Sequence, residues 1–95
     1  MDGVQALLSL SQVVNKKQNA EAFKDTKLII GKNVRLRREA MSLSQEQLGL
    51  RIEADQAYIS RLERGILNPT VESLVEIAFA LEIDVNRLLS DPTRL

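Results

Sequence analysis

The chain has no cysteine and no histidine among its 95 residues. Disulfides, thiol catalysis, Cys/His zinc sites and imidazole acid–base chemistry are excluded with them. Only three aromatics occur, Phe23, Tyr58 and Phe79, so a core has to be built from Leu, Ile, Val and Ala. No apolar run approaches the roughly 20 residues of a membrane-spanning helix. The first residues lack the basic-then-apolar layout of a secretory signal, so a cytoplasmic protein is the expectation. There is no nucleophile–base pair, no phosphate-binding loop and too little chain for a substrate pocket, which excludes an enzyme. Nothing calls for a cofactor or a metal, and no effector-binding region is evident.

What is present describes an ordinary globular chain, with 44% hydrophobic and 27% charged residues. Its length gives one domain, or a small domain with an appendage. A core of that size is marginal, which favours a dimer. Formal net charge is zero, unlike the basic balance common in nucleic-acid binders. The charge is unevenly placed, however. Residues 28–66 carry seven Arg/Lys against five Asp/Glu, and residues 67–95 carry two against five.

Residues 2–15 read as an amphipathic helix, with Val4, Leu7, Leu8 and Val14 at near-helical spacing and Asp2 with Gln5 as a capping pair. Residues 15–27, NKKQNAEAFKDTK, are polar and read as a linker or a frayed approach to the next helix. A helix is expected from Leu28 to Met41, capped by Asp25 or Thr26. Ser44 and Gln47 make an S-x-x-Q capping box that starts the second helix at Gln45, with Leu48 and Ile52 as its buried stripe. Asp55 caps a third helix that runs to about Arg64 and stops at Gly65.

Asn68-Pro69-Thr70 is a turn and a further cap. Val71, Leu74, Ile77, Ala78 and Leu81 then mark one face of a fourth helix. Asp84 caps a short fifth helix, with Val85, Leu88 and Leu89, that ends before Pro92. No stretch alternates with period two, and the chain is all-α. The third helix sets a polar outer face, made of Gln56, Ala57, Ser60, Arg61 and Arg64, over an apolar inner one of Ile59 and Leu62. A short helix of that kind lies in a DNA major groove with its back on a small core.

Residues 28–90 resemble the five-helix Cro/lambda-repressor-like (XRE-type) helix-turn-helix domain. The resemblance rests on I-G-x-x-V-R at 30–35, Arg38, L-S-Q at 43–45, Leu48, Y-I-S-x-L-E-R-G at 58–65, N-P-T at 68–70 and A-x-x-L at 78–81. The D-x-x-Y-I-S start of the third helix is similar to that of restriction–modification controller proteins. Residues 1–27 are then an N-terminal extension and 91–95 a tail. Three positions depart from the family pattern: Glu53 and Ser42 stand where Gly is usual, and Gly49 where Ala is usual. A non-Gly residue held at positive φ costs about 1 kcal/mol, and Gly inside a helix loosens it by about as much relative to Ala.

The resemblance implies base contacts from Gln56, Ala57, Ser60 and Arg61. Gln pairs bidentately with adenine and Arg with guanine, each worth about 1–3 kcal/mol of discrimination. Phosphate is the alternative partner for Arg61 and Ser60, and Ala57 either meets a thymine methyl or simply favours helix. Gln45, Tyr58, Arg64, Asn68 and Arg35 are the phosphate candidates; Tyr58 has packing, and the others plain solvation, as the alternative. Arg38 and Glu63 match a family ion pair between the first and third helices. The partners implied are double-stranded DNA and a second copy of the chain, because one helix reads only a few base pairs. An inverted repeat with half-sites about 34 Å apart is the expected site. Dimerisation is expected through Val85, Leu88 and Leu89 or through the N-terminal segment. A protein-interaction module, or an autoregulating antitoxin whose residues 1–27 bind a partner protein, is the competing reading.

Overall fold

The computed structural model describes the backbone of residues 2–93 and the side chains of residues 16–93. Its elements are α1 (Asp2–Ala40), α2 (Gln45–Arg51), α3 (Gln56–Glu63), α4 (Val71–Ala80) and α5 (Val85–Leu89), with no strand among the described residues. α1 is the departure from expectation. Residues 15–27 are not a linker but the middle of one helix of 39 residues. The physical reason lies in their composition. They hold neither Pro nor Gly, and Lys, Gln, Ala and Glu all sustain a helix.

Thr26 does not cap α1 either. Its hydroxyl donates back to the Ala22 carbonyl at 2.6 Å, as a Thr inside a helix does. The side chains proposed for the first turns, the Asp2–Gln5 capping pair and the Val4, Leu7, Leu8 and Val14 stripe, lie outside the described residues. A helix of this length spans about 58 Å at 1.5 Å per residue, which matches the 58 Å long axis of the molecule. No helix among the described residues is long and apolar enough to cross a membrane.

The other four helices begin where their caps are written. Ser44 and Gln47 form both halves of the capping box. Asp55, Thr70 and Asp84 accept from the amides of Tyr58, Ser73 and Asn86 at the starts of α3, α4 and α5. α1, α2, α3 and α4 all end in the same way. One residue turns left-handed, and the next amide bonds back to a carbonyl five residues earlier, as in Leu43 to Arg38 and Ala54 to Gly49. The left-handed residues are Ser42, Glu53, Gly65 and Glu82, with φ between 56° and 73°. Only one of the four is glycine.

The core is aliphatic: Ile30 and Val34 of α1, Leu48 of α2, Ile59 and Leu62 of α3, Leu74, Ile77 and Ala78 of α4, Leu81, and Leu88 of α5. Leu88 is fully buried, so it belongs to this core and cannot serve the dimer surface assigned to it from sequence. Val71 is 76% exposed and stands apart from the buried face of α4. Two close approaches fix the stacking. A Cβ at Gly31 would stand 2.5 Å from the Glu63 carbonyl oxygen, so α1 and α3 cross almost backbone to backbone. A Cβ at Gly49 would stand 2.7 Å from the Ala54 carbonyl oxygen. Gly49 is therefore not a loosened version of the usual Ala but the residue that lets this turn close.

Candidate nucleic-acid interface

α3 lies across the surface with its apolar side, Ile59 and Leu62, in the core. Gln56, Ala57, Arg61 and Arg64 are exposed, and Ser60 is half-buried between them. Three of the polar residues project as a row, since positions 56, 60 and 64 fall one turn apart. Arg64 folds back, its Nε donating to the Ser60 carbonyl at 3.3 Å. The Arg61 side chain makes no hydrogen bond or ion pair among the described residues.

Behind this face runs a chain of side chains. Gln56 Nε2 donates to Gln45 Oε1 at 2.7 Å. Gln45 Nε2 in turn donates to Glu63 Oε1 at 3.1 Å. Arg38 closes the chain with two parallel bonds to the same carboxylate, Nε to Oε2 at 2.6 Å and Nη2 to Oε1 at 2.9 Å. Its third contact, Nη1 to the Leu43 carbonyl at 2.8 Å, ties the end of α1 into the network. The Arg38 side chain is 11% exposed and Glu63 5%. The hydrogen bond to Glu63 holds the guanidinium in its charged form, raising its pKa against the opposing cost of burial. α1, α2 and α3 are thus locked at one point, and the amide of Gln56 is aimed by that lock.

The remaining residues fall in different places. Tyr58 is half-buried against the core. Asn68 is exposed in the loop before α4. Arg35 is exposed but engaged, Nε to Glu39 Oε1 at 2.8 Å. That bond raises the Arg35 pKa and lowers that of Glu39. Arg37 donates to the Leu81 carbonyl at 2.8 Å and closes the end of α4. Gln45 as a relay between Gln56 and Glu63 is absent from the sequence reading. Its partners lie 11 and 18 residues away, beyond any local pattern.

A capped helix of two turns, docked on a neighbour through a tight turn and turned outward with Gln and Arg, is the constellation of a helix-turn-helix domain. The helix-turn-helix family (HTH_3) matches residues 34–88. The chain belongs to that family and is an XRE-type DNA-binding transcriptional regulator. It is 47% identical over 60 residues to the HTH-type transcriptional regulator y4dJ of Sinorhizobium fredii, across 62% of this chain and 77% of that one. It is 40% identical over 68 residues to control protein C.SmaI of Serratia marcescens, across 72% and 81% of the two chains. The crystal structure of the restriction–modification controller protein C.AhdI from Aeromonas hydrophila superposes with a TM-score of 0.64 at 31% identity, covering 68% of this chain and 94% of that one. The match to a longer Sinorhizobium fredii regulator, y4dL, spans only 29% of that protein.

Proposed function

We propose that the chain acts as a homodimer on an inverted-repeat operator, with α3 of each copy in the major groove. The observation that carries this reading is the outward face of α3. It presents Gln, Ala, Ser and Arg with Arg61 uncommitted, on a helix whose orientation is locked from behind by Arg38 and Glu63. Gln56, Ala57, Ser60 and Arg61 read base edges. Gln45, Tyr58, Arg64, Asn68 and Arg35 seat on phosphates. Gln45 starts α2, where unpaired amides favour an anion. Half-sites stand about 34 Å apart, one turn of the duplex. The chain works as a cytoplasmic, non-enzymatic regulator.

The second copy docks on the apolar stripe that α4 leaves exposed. Val71, Val75 and Phe79 fall at successive turns and are 76%, 50% and 86% exposed. Beside them, Arg51 and the acids Glu53, Glu76 and Glu82 line one shallow depression. Charges of both signs around an apolar centre are what a two-fold contact between identical surfaces needs.

Selection of bound sequences from a randomised duplex pool tests the reading. The expected result is an inverted repeat that disappears for Gln56→Ala combined with Arg61→Ala. Recovery of no motif would turn the assignment toward a protein partner of residues 1–27.

A further inference from the structure

α1 extends past the domain in the direction of residue 16, and its charges there are sorted by face. Lys17, Lys24, Gly31 and Arg38 follow one another at seven-residue intervals, which is two helical turns. Lys16, Lys27 and Arg38 follow at eleven, which is three turns. Both rows run into the residues that meet α3, because Gly31 lies against the carbonyls of Leu62 and Glu63 and Arg38 holds the Glu63 carboxylate. The four lysines therefore stand on the flank of α1 that faces α3, on the part of the helix that α3 no longer covers.

The opposite flank is different. Asp25, Ile29, Asn33 and Arg37 are spaced one turn apart. Asn33 bonds the Leu88 and Ser90 carbonyls, and Arg37 the Leu81 carbonyl, so this row faces α5 and the end of α4. Asp25 shares a depression there with Leu89 and Asp91. Glu21 lies between the two flanks. None of the four lysines is in an ion pair among the described residues. Lys16, Lys17 and Lys24 are exposed, and Lys27 rests with its Nζ 4.6 Å from the centre of the half-exposed Phe23 ring.

We propose that the extension of α1 is a second DNA-binding element, in which Lys16, Lys17, Lys24 and Lys27 contact phosphates beyond the base pairs read by α3. The inference rests on α3 lying in the major groove. Packed helices sit about 8–10 Å apart, and the major groove is about 8.5 Å deep. With the side chains of α3 on the groove floor its axis stands about 5 Å above it, so the axis of α1 rides about 5 Å outside the phosphates, within reach of a lysine side chain. Lys16 to Lys27 spans about 16 Å of helix at 1.5 Å per residue, roughly half a turn of duplex. The lysines give affinity and register without reading sequence. They also explain how a chain of zero net charge binds a polyanion: its positive charge is concentrated on one side.

The test compares the full chain with a variant carrying Lys16→Gln, Lys17→Gln, Lys24→Gln and Lys27→Gln, and with the two paired variants, 16 with 17 and 24 with 27. Each is titrated with duplex over a salt series, after circular dichroism has verified helix content. Gln keeps helix propensity, and the paired variants hold the test open if the quadruple one misfolds. The slope of log affinity against log salt should fall by about one for each lysine on a phosphate. The selected motif should stay the same, and the loss should vanish on a duplex trimmed to the inverted repeat. A variant with Asp25→Asn, which changes net charge off the lysine face, should leave the slope within about half a unit of the wild type. An unchanged slope in the lysine variants, or an equal change in the acidic-residue variant, overturns the proposal. Failure of the α3 reading looks different: the wild type then selects no motif, whatever the lysines do to the salt slope.

Discussion

Gln56 donates its side-chain amide to the side-chain oxygen of Gln45 at 2.7 Å, joining the first residue of α3 to the first residue of α2. The bond fixes which end of the Gln56 amide faces outward. Gln45 keeps its orientation because its own amide is held by Glu63. Position 56 is thus set through two side chains rather than by its own rotamer preference. Gln56→Ala should cost about 1–3 kcal/mol of operator affinity, the worth of one bidentate base contact. Gln45→Ala should lower affinity as well. The two losses should not add, since neighbours in one network couple by about 0.5–3 kcal/mol. Titration of the single and double variants against one operator measures this, and simple addition would mean that the glutamines act independently.

The same network carries the ion pair. Removing Arg38 alone or Glu63 alone leaves a charge stranded beneath α3, which costs about 3–5 kcal/mol. Arg38→Met with Glu63→Leu removes both charges and should be milder than either change by itself. Melting curves of the three variants decide it, and additive losses would show that the pair contributes no coupling. Glu63→Leu also frees Gln45, so at equal folded fraction it should weaken operator binding more than Arg38→Met does.

Much of this arrangement is legible in the sequence because helix starts are local. Ser44, Asp55, Thr70 and Asp84 each bond an amide two or three residues ahead, and a cap can be read from its own neighbourhood. What failed to be legible is non-local or rests on a false equation. Residues 15–27 look like a linker because they are polar, yet polarity does not end a helix unless Pro, Gly or a competing cap intervenes. Leu88 and Leu89 are indistinguishable as letters, and only the packing of α5 decides that the first is buried and the second 44% exposed. The requirement for Gly49 comes from a carbonyl five residues away, which no propensity scale contains.

Helix ends offer a gain in stability. Glu53 and Glu82 hold φ of 57° and 56°, where a side chain is penalised and glycine is not. Glu53→Gly should stabilise the domain by about 0.5–1 kcal/mol, after the extra freedom of glycine in the unfolded chain is set against the relief. For a domain of this size that raises the melting temperature by about 2–8 °C. Gly49→Ala should go the other way by about 1–3 kcal/mol, because its Cβ meets a backbone carbonyl that cannot move without opening the turn. Thermal melts in which Gly49→Ala matched or exceeded the wild type would show that the turn has slack at Ala54.

Phe79 separates the two ways of making a dimer. At 86% exposed it is the most exposed of the large hydrophobic side chains on the described surface, and it contributes nothing to the core of its own chain. In a monomer, Phe79→Ser would therefore leave folding stability nearly unchanged. In a dimer closed through α4, each copy loses one buried aromatic. At about 1.5–3 kcal/mol per side chain, the pair amounts to a rise in the dissociation constant of at least about a hundredfold. Sedimentation equilibrium should show this dimer dissociating at concentrations where the wild type holds together. Operator binding should become steeper in protein concentration, as two half-sites are then filled by separate molecules. Leu89→Ser, on α5 and away from the stripe, should change neither. The reverse pattern, with Leu89→Ser dissociating the dimer and Phe79→Ser leaving it intact, would move the two-fold axis from α4 to α5.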